Sequence, residues 1–389
     1  MGVNLNVMKL LIITQKIDRN DDILGFFHRW VEEFAKKCES VIVICLEKGE
    51  YKLPKNVKVL SLGKESQIRN PKSEIRNPEG VASRPYGAGK FKIQNSKFKI
   101  LERLKYLFGF YKYIWQERKN YDAVFVHMNP EYAVLGGLLW KLMGKRVGLW
   151  YVHKTVNLKL RVAAKLIDKI FTASAESCRL KSDKIVITGH GIDNAAFQPR
   201  NQKSKIKNQK FIIITAGRIA PVKNLDILIK AAEILKNKGL NFEVKIAGAP
   251  VLESDKIYFN KLEELVKEKN LESEIKFIGP IPYKDIAEFY QQGNLFVNFS
   301  DTGSLDKAVL EAMASGLLIL TSNEAFKDIL AEKYFTNKNP QEIAGKIIQL
   351  SESGNDPALR DYAVKHHSLE NLIGKIFKIM TNDNLKRSV

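Results

Sequence analysis

Several signals are missing from this sequence, and each absence removes a class of function. There are three cysteines, Cys38, Cys45 and Cys178, with no CxxC spacing. Cys45 lies in the apolar run VIVIC and reads as a buried reduced thiol, which favours a reducing compartment. The most apolar long stretch, YAVLGGLLWKLMGKRVGLW (132–150), is interrupted by Lys141, Lys145 and Arg146, so it does not span a bilayer. The opening MGVNLNVMKLLIITQ reads as a first strand, not as a secretory signal. The dinucleotide fingerprint GxGxxG, with an acid roughly 20 residues on, is also absent. The loop after the first strand reads TQKIDRNDDILGFFHRW instead. No DxD-type motif placed for a metal stands out, so neither a metal nor another cofactor is expected.

What is abundant is positive charge, a net +20 over 389 residues. Such an excess usually points to a polyanionic partner. Part of it sits in segments of one Lys/Asn/Ser/Ile alphabet: SQIRNPKSEIRNPE (66–79), FKIQNSKFKI (91–100) and NQKSKIKNQK (201–210). Residues 64–95 are expected to form a low-complexity insertion and 201–209 an exposed interdomain loop. With the charge placed there, no nucleic acid is expected.

The remaining sequence alternates short β-branched runs with helical patterns. LLIIT, SVIVICL, VKVLSL, AVFVH, RVGLWYVH, KIFTAS and KIVITG fill the first half; FIIITAG, FEVKIAG, IKFIGP, LFVNFS and LLILTS fill the second. Continuous apolar strands between helices imply a parallel sheet covered on both faces. Two such runs, joined near GHGIDNAAFQP (189–199), give an α/β chain of two doubly wound, Rossmann-like domains facing a cleft. The expected division is 1–195 and 196–365. Ligands in such sheets bind beyond the carboxyl ends of the strands.

Two elements at strand ends carry chemistry. DTGSLDKAVLEAMASG (301–316) runs from a strand into a helix, presenting free amides and the positive end of a helix dipole to a phosphate. Upstream, TAGRIAPVKN (215–224) ends a strand at Gly217, followed by Arg218 and Lys223. Two cations there and a helix N-terminus suit a pyrophosphate clamp that needs no metal.

GRIAPVKN and LEAMASG, separated by IAGAP (246–250) and FIGPIP (277–282), resemble family 4 retaining glycosyltransferases of the GT-B fold. The resemblance covers nearly the whole carboxyl half. It implies a nucleotide-diphospho-sugar donor, an acceptor hydroxyl on a glycan or lipid, and retention of anomeric configuration. Arg218, Lys223 and His153 would be catalytic. Gly25, Gly217, Gly248, Gly303, Ser304, Leu305, Asp306 and Glu311 would bind the donor, with Glu311 on the ribose. A terminal segment, 366–384, would pack back on the amino-terminal domain.

Departures from the resembled pattern are visible. Counting back eight positions from Glu311 gives Gly303, where the family carries a first Glu that holds sugar hydroxyls. Sugar recognition is then expected from the amides of Ser304 and Leu305, or from Asp301 or Asp306. Asp306 and Lys307 equally suit a helix N-terminal turn with its counter-charge. The loop that is Gly-rich in the family keeps only Gly25, with His28 one turn later, and Asp21 and Asp22 also read as helix caps. His28 and His127 are placed on the acceptor side, although a strand-end histidine satisfied by backbone fits His127 as well. His190 is read as structural beside the turn at Gly191, and His366 and His367 as solvated.

Two rival functions share this architecture: a non-catalytic sugar-binding protein and a nucleotide-sugar epimerase. A further partner is suggested by KFKILERLKYLFGFYKYIWQERK (97–119). Ile100, Leu101, Leu104, Leu107, Phe108, Tyr111, Ile114 and Trp115 are expected to form one stripe. That stripe either packs on the sheet or, with Phe98, Phe110, Tyr113 and the lysines outside, leaves a face for anionic lipid. The protein is accordingly expected in the cytoplasm, with peripheral attachment at the inner membrane face as the alternative.

Overall fold

The computed structural model describes residues 8–67, 96–199 and 210–382. The expected loop at 201–209 lies outside them, as does the expected insertion apart from a short 3-10 turn at Lys64–Gln67. Side chains of residues 96–100, including Lys97, Phe98, Lys99 and Ile100, also lie outside.

The amino-terminal domain runs β1 (Lys9–Ile17), α1 (Phe26–Lys37), β2 (Ser40–Lys48), β3 (Val57–Ser61), α2 (Ser96–Gln116), β4 (Ala123–His127), α3 (Pro130–Leu142), β5 (Arg146–Trp150), α4 (Leu158–Leu166), β6 (Lys169–Thr172) and β7 (Ile185–Ile187). Its seven strands are parallel and ordered β3-β2-β1-β4-β5-β6-β7. Leu10 through Ile13 are at most 1% exposed, which explains why β1 reads as an unbroken apolar run rather than an alternating one. One sheet face is covered by α1, through Phe27, Trp30, Val31 and Phe34, and the other by α2, α3 and α4.

The carboxyl-terminal domain runs β8 (Phe211–Ala216), α5 (Leu225–Asn237), β9 (Phe242–Ala247), α6 (Glu253–Glu268), β10 (Ile275–Gly279), α7 (Ile286–Tyr290), β11 (Leu295–Asn298), α8 (Lys307–Ala314), β12 (Leu318–Thr321), α9 (Pro340–Ser351) and α10 (Pro357–His367). Its five parallel strands are ordered β10-β9-β8-β11-β12. The chain then crosses back. Ile192 and Ser368 pair as an isolated bridge, with the Ile192 amide on the His367 carbonyl at 2.6 Å and the Leu369 amide on Ile192 at 2.8 Å. Beyond that bridge α11 (Leu369–Thr381) buries Leu372, Ile373 and Ile376 beside α1 in the first core. The crossover falls at Ser368, because α10 still packs in the second core through Leu359 and Ala363.

Three sequence expectations are corrected here. The strand carrying His153 stops at Trp150, so His153 stands in the loop beyond it and is exposed. His367 is 4% exposed rather than solvated, its Nδ1 accepting the His190 amide at 3.2 Å. The apolar residues of α2 form two stripes instead of one. Phe110 and Ile114 turn inward, at most 1% exposed, while Leu101, Leu104, Phe108, Tyr111 and Trp115 remain outside. The helix docks through Gly109, whose position faces Leu62 closely, and through Phe110 against Tyr132 and Trp140.

Burial also sets a pH response. It pushes His127 and His367 down to about 3, and His190 down to about 4. These groups are neutral when folded, and their stability is fully present above the ordinary imidazole range near 6.5. As pH falls below that value the unfolded chain binds their protons first, so stability drops toward the folded values. Each group then costs up to about 2 kcal/mol at pH 5. Melting followed from pH 7.5 to 5 should show this loss; a flat profile would contradict it.

Candidate active site

The second sheet reverses its strand order between β8 and β11, and ligands of doubly wound sheets bind at such a switch point. The loop after β8 brings Gly217, Arg218 and Lys223 there, and the loop after β11 brings residues 299–306 and the start of α8. Between them lies a cleft of about 410 Å³ lined by Gly217, Arg218, Lys223, Gly248, Asp306 and Glu311, and by Asp22, Ile23 and Phe26 from the first domain.

Lys223 crosses the switch point to Asp306, Nζ to Oδ2 at 2.8 Å, and Asn298 Nδ2 donates to the same oxygen at 3.0 Å. Burial alone would raise the Asp306 carboxyl, but Lys223 and Asn298 outweigh it and hold the pKa below its ordinary value. Arg218 stays open to the cleft: its side chain is 45% exposed, with Nε 3.7 Å from the buried Asp255. Gly248, at φ +133°, lies so close to Gly217 that a Cβ built on it would be 1.9 Å from the Gly217 carbonyl oxygen. Only glycine permits this approach of two strand ends under the clamp.

Glu311 is 5% exposed and heavily engaged. Tyr283 donates to Oε1 at 3.0 Å and Tyr290 to Oε2 at 3.1 Å, while Lys307 ion-pairs with Oε1. Burial first, then the Glu311 charge, push both phenols well above their ordinary pKa. The Lys307 amine also sits over the rings of Phe26 and Tyr283, at 4.8 and 4.6 Å. The aromatic seam thus joins the two domains on one side of the cleft.

The loop after β11 is fixed by its carbonyls. Ser304 accepts from Asn323 Nδ2 at 3.0 Å, and Leu305 lies 2.9 Å from His190 Nε2, which carries the proton in that contact. The Ser304 and Leu305 amides donate to no acceptor among the described residues. Gly303 adopts a left-handed φ of +59°, and the nearest atom to a Cβ built there is Lys154 Nζ, at 3.8 Å. Lys154, on the loop beside His153, therefore joins His190 in reaching this loop from the first domain.

Other expected site residues are placed elsewhere. Gly25 and His28 face a second recess, of about 440 Å³, also lined by Arg29 and Asp193. Gly25 abuts Tyr283, where a Cβ would lie 2.8 Å from the tyrosine Cβ, so this position serves domain contact and Asp22, Ile23 and Phe26 supply the cleft wall. His28 is buried, with Nε2 accepting the Lys52 amide at 3.1 Å and Nδ1 3.2 Å from Glu32. His127 is 1% exposed, stacked on Phe27 at 3.9 Å with Nδ1 beside the Thr14 hydroxyl, and borders neither recess. Asp301 is tied to Lys338 and Asn224 and lines a different recess from Asp306.

Sequence reasoning missed Tyr283, Tyr290, Phe26 and Lys154. Tyr283 follows directly on FIGPIP and was within reach of the motif; Tyr290 depends on how α7 packs beside α8, and Phe26 and Lys154 on how the domains meet.

Comparison with known proteins agrees with this geometry. The family profile for Glycosyl transferases group 1 matches residues 197–367. The GPI3 subunit of phosphatidylinositol N-acetylglucosaminyltransferase from Saccharomyces cerevisiae is 22% identical over 246 residues, covering 60% of this chain and 52% of that protein. The amylovoran biosynthesis glycosyltransferase AmsK of Erwinia amylovora is 26% identical, covering 45% of this chain and 44% of that one. The chain thus matches about half the length of these curated relatives. Over the whole fold, Anabaena Alr3699/HepE, solved in complex with UDP and glucose, superposes with a TM-score of 0.67 at 15% identity, covering 96% of this chain and 100% of that one. Taken together, the superposition gives this chain the GT-B fold, and its carboxyl-terminal domain matches the Glycosyl transferases group 1 profile.

Proposed function

We propose that this protein transfers a hexose from a nucleotide-diphospho-sugar to an acceptor hydroxyl, with retention, in glycan or glycolipid synthesis. The observation that carries this reading is the pairing of Arg218 and Lys223 with the amino end of α8 across the switch point. When the sugar leaves, negative charge grows on the β-phosphate while the anomeric carbon becomes cation-like. Fixed cations and free amides at that place lower the barrier because they need no reorganisation. Lys223 rests on Asp306, and an arriving diphosphate competes for its amine. Glu311 accepts three described donors and, with about four lone-pair sites on a carboxylate, keeps room for a ribose hydroxyl.

The same reading gives charge stabilisation to side chains and the helix terminus rather than to a metal, so EDTA should leave turnover unchanged. A lipid-linked acceptor would make this a peripheral enzyme of the inner membrane face. The three cysteines are buried and free, with burial pushing Cys38 and Cys45 up to about 12, which suits a reducing compartment.

The test is incubation of purified protein with radiolabelled UDP-, GDP- and ADP-sugars, with and without extracted lipid acceptors. Transfer or slow hydrolysis, with the anomer retained by NMR, supports the reading. Interconversion of the sugar without acceptor would mark an epimerase, and binding without any turnover a sugar-binding protein.

A further inference from the structure

The outer surface of α2, α3 and α4 is more apolar than a solvated face should be. On α2, Leu101, Leu104, Phe108 and Trp115 are 65, 54, 75 and 55% exposed. On α3, Leu138 and Leu142 are 59 and 77% exposed, and on α4 Leu158 is 74% exposed. The three helices are neighbours: the Tyr111 hydroxyl donates to the Leu135 carbonyl at 2.9 Å, and Lys159 of α4 pairs with Glu131 of α3 at 2.7 Å. The exposed side chains therefore stand on the outer side of three adjacent helices. Single exposed leucines need no explanation, but a contiguous apolar face marks an interaction surface.

Charge chooses the occupant. Glu102 and Glu131 are the only acids in the sequences of the three helices, and Glu131 is already paired with Lys159. Lys105, Lys112, Lys141, Arg161 and Lys165 are exposed on the same three helices. A second copy would bring the same basic rim and another +20 net charge against it. Anionic headgroups complement that rim while the leucines and aromatics enter the acyl boundary.

We propose that this face of the amino-terminal domain docks on an anionic lipid bilayer. The geometry also gives the docking a consequence. Leu158, at the start of α4, is four residues from Lys154, whose amine lies beside Gly303 of the loop after β11. A bilayer on this face meets the protein near the mouth of the cleft, where a lipid-linked acceptor can reach the donor. That consequence rests on the transfer reading, whereas the docking itself does not.

Trp115 supplies the reporter, because Trp30, Trp140 and Trp150 are at most 1% exposed. The full chain is mixed with phosphatidylcholine vesicles containing roughly one-third phosphatidylglycerol, a surface of the charge that polybasic faces select. The expected result is a blue shift of tryptophan emission and co-sedimentation, both weakened by salt and by Lys105→Gln with Lys112→Gln. Phe108→Ser with Leu142→Ser, at exposed positions that leave the fold intact, should weaken vesicle binding at least about tenfold while the melting temperature stays unchanged. Equal binding to pure phosphatidylcholine, or no binding at low salt, overturns the proposal. So does a dimer in which Trp115 is already shielded and vesicles are ignored, since a second copy then owns the face. Lipid binding is read without donor, so its failure and a failure of transfer are seen separately.

Discussion

Lys223→Ala should lower turnover of the nucleotide-diphospho-sugar by about 10²–10³, the range seen when a preorganised donor to developing negative charge is removed. Lys223 and Arg218 line the same cleft, so the two substitutions should act in the same direction. They differ in what they do to the fold. An open clamp, as the motif alone suggests, would leave stability untouched in both variants. In the structure Lys223 is the charge partner of the buried Asp306, so Lys223→Ala should also cost about 1–3 kcal/mol by leaving that carboxylate less satisfied. Adding Asp306→Asn should recover much of the stability but none of the rate. Arg218, half exposed, should lose turnover with an unmoved melting curve. Unchanged kinetics in both single variants would reject the clamp.

Gly248→Ala should be the most damaging glycine-to-alanine change among the described residues. Its Cβ would stand 1.9 Å from the Gly217 carbonyl oxygen, with φ at +133°, so two backbones must separate before the side chain fits. Such strain typically costs several kcal/mol, about 2–4 here. The movement would carry Gly217 and Arg218 away from the helix terminus they face, so donor binding should fall with stability. Gly345 provides the control, since nothing lies within 4 Å of a Cβ placed there. Gly345→Ala should leave both properties unchanged or slightly improve stability through helix propensity. A Gly248→Ala protein that binds nucleotide normally would show that this contact does not shape the site.

The strands were legible because parallel sheets buried on both faces require continuous apolar runs, as in Leu10–Ile13 and Val124–Val126. The donor half was legible because strand end, Gly, cation and helix start follow one another within a few residues. Arg218, Lys223, Asp306 and Glu311 accordingly meet in one cleft. What escaped the sequence is what depends on packing between distant elements. Tyr283 and Tyr290 reach Glu311 from α7 and the turn before it, and Lys154 reaches Gly303 from the opposite domain. Histidine context was equally hidden, since His127 and His367 sit at strand and helix ends yet are enclosed by neighbouring layers. On α2 the two stripes are adjacent around the helix, and periodicity cannot say which one the sheet takes. Phe110 and Ile114 were taken because they meet Tyr132, Trp140 and the strand behind them.

The central claim is that Arg218 and Lys223 read the terminal phosphate of a nucleoside diphosphate. Calorimetric titration of the purified protein with UDP, GDP and ADP, each against its monophosphate, tests it most directly. The base that binds should do so at least about tenfold more tightly as the diphosphate, worth about 1.4 kcal/mol or more, as expected of charge-assisted contacts. In Arg218→Ala that preference should shrink toward unity while the monophosphate affinity stays near its original value. Equal affinity for mono- and diphosphate in the unaltered protein, or a preference that survives in Arg218→Ala and Lys223→Ala alike, would contradict the account.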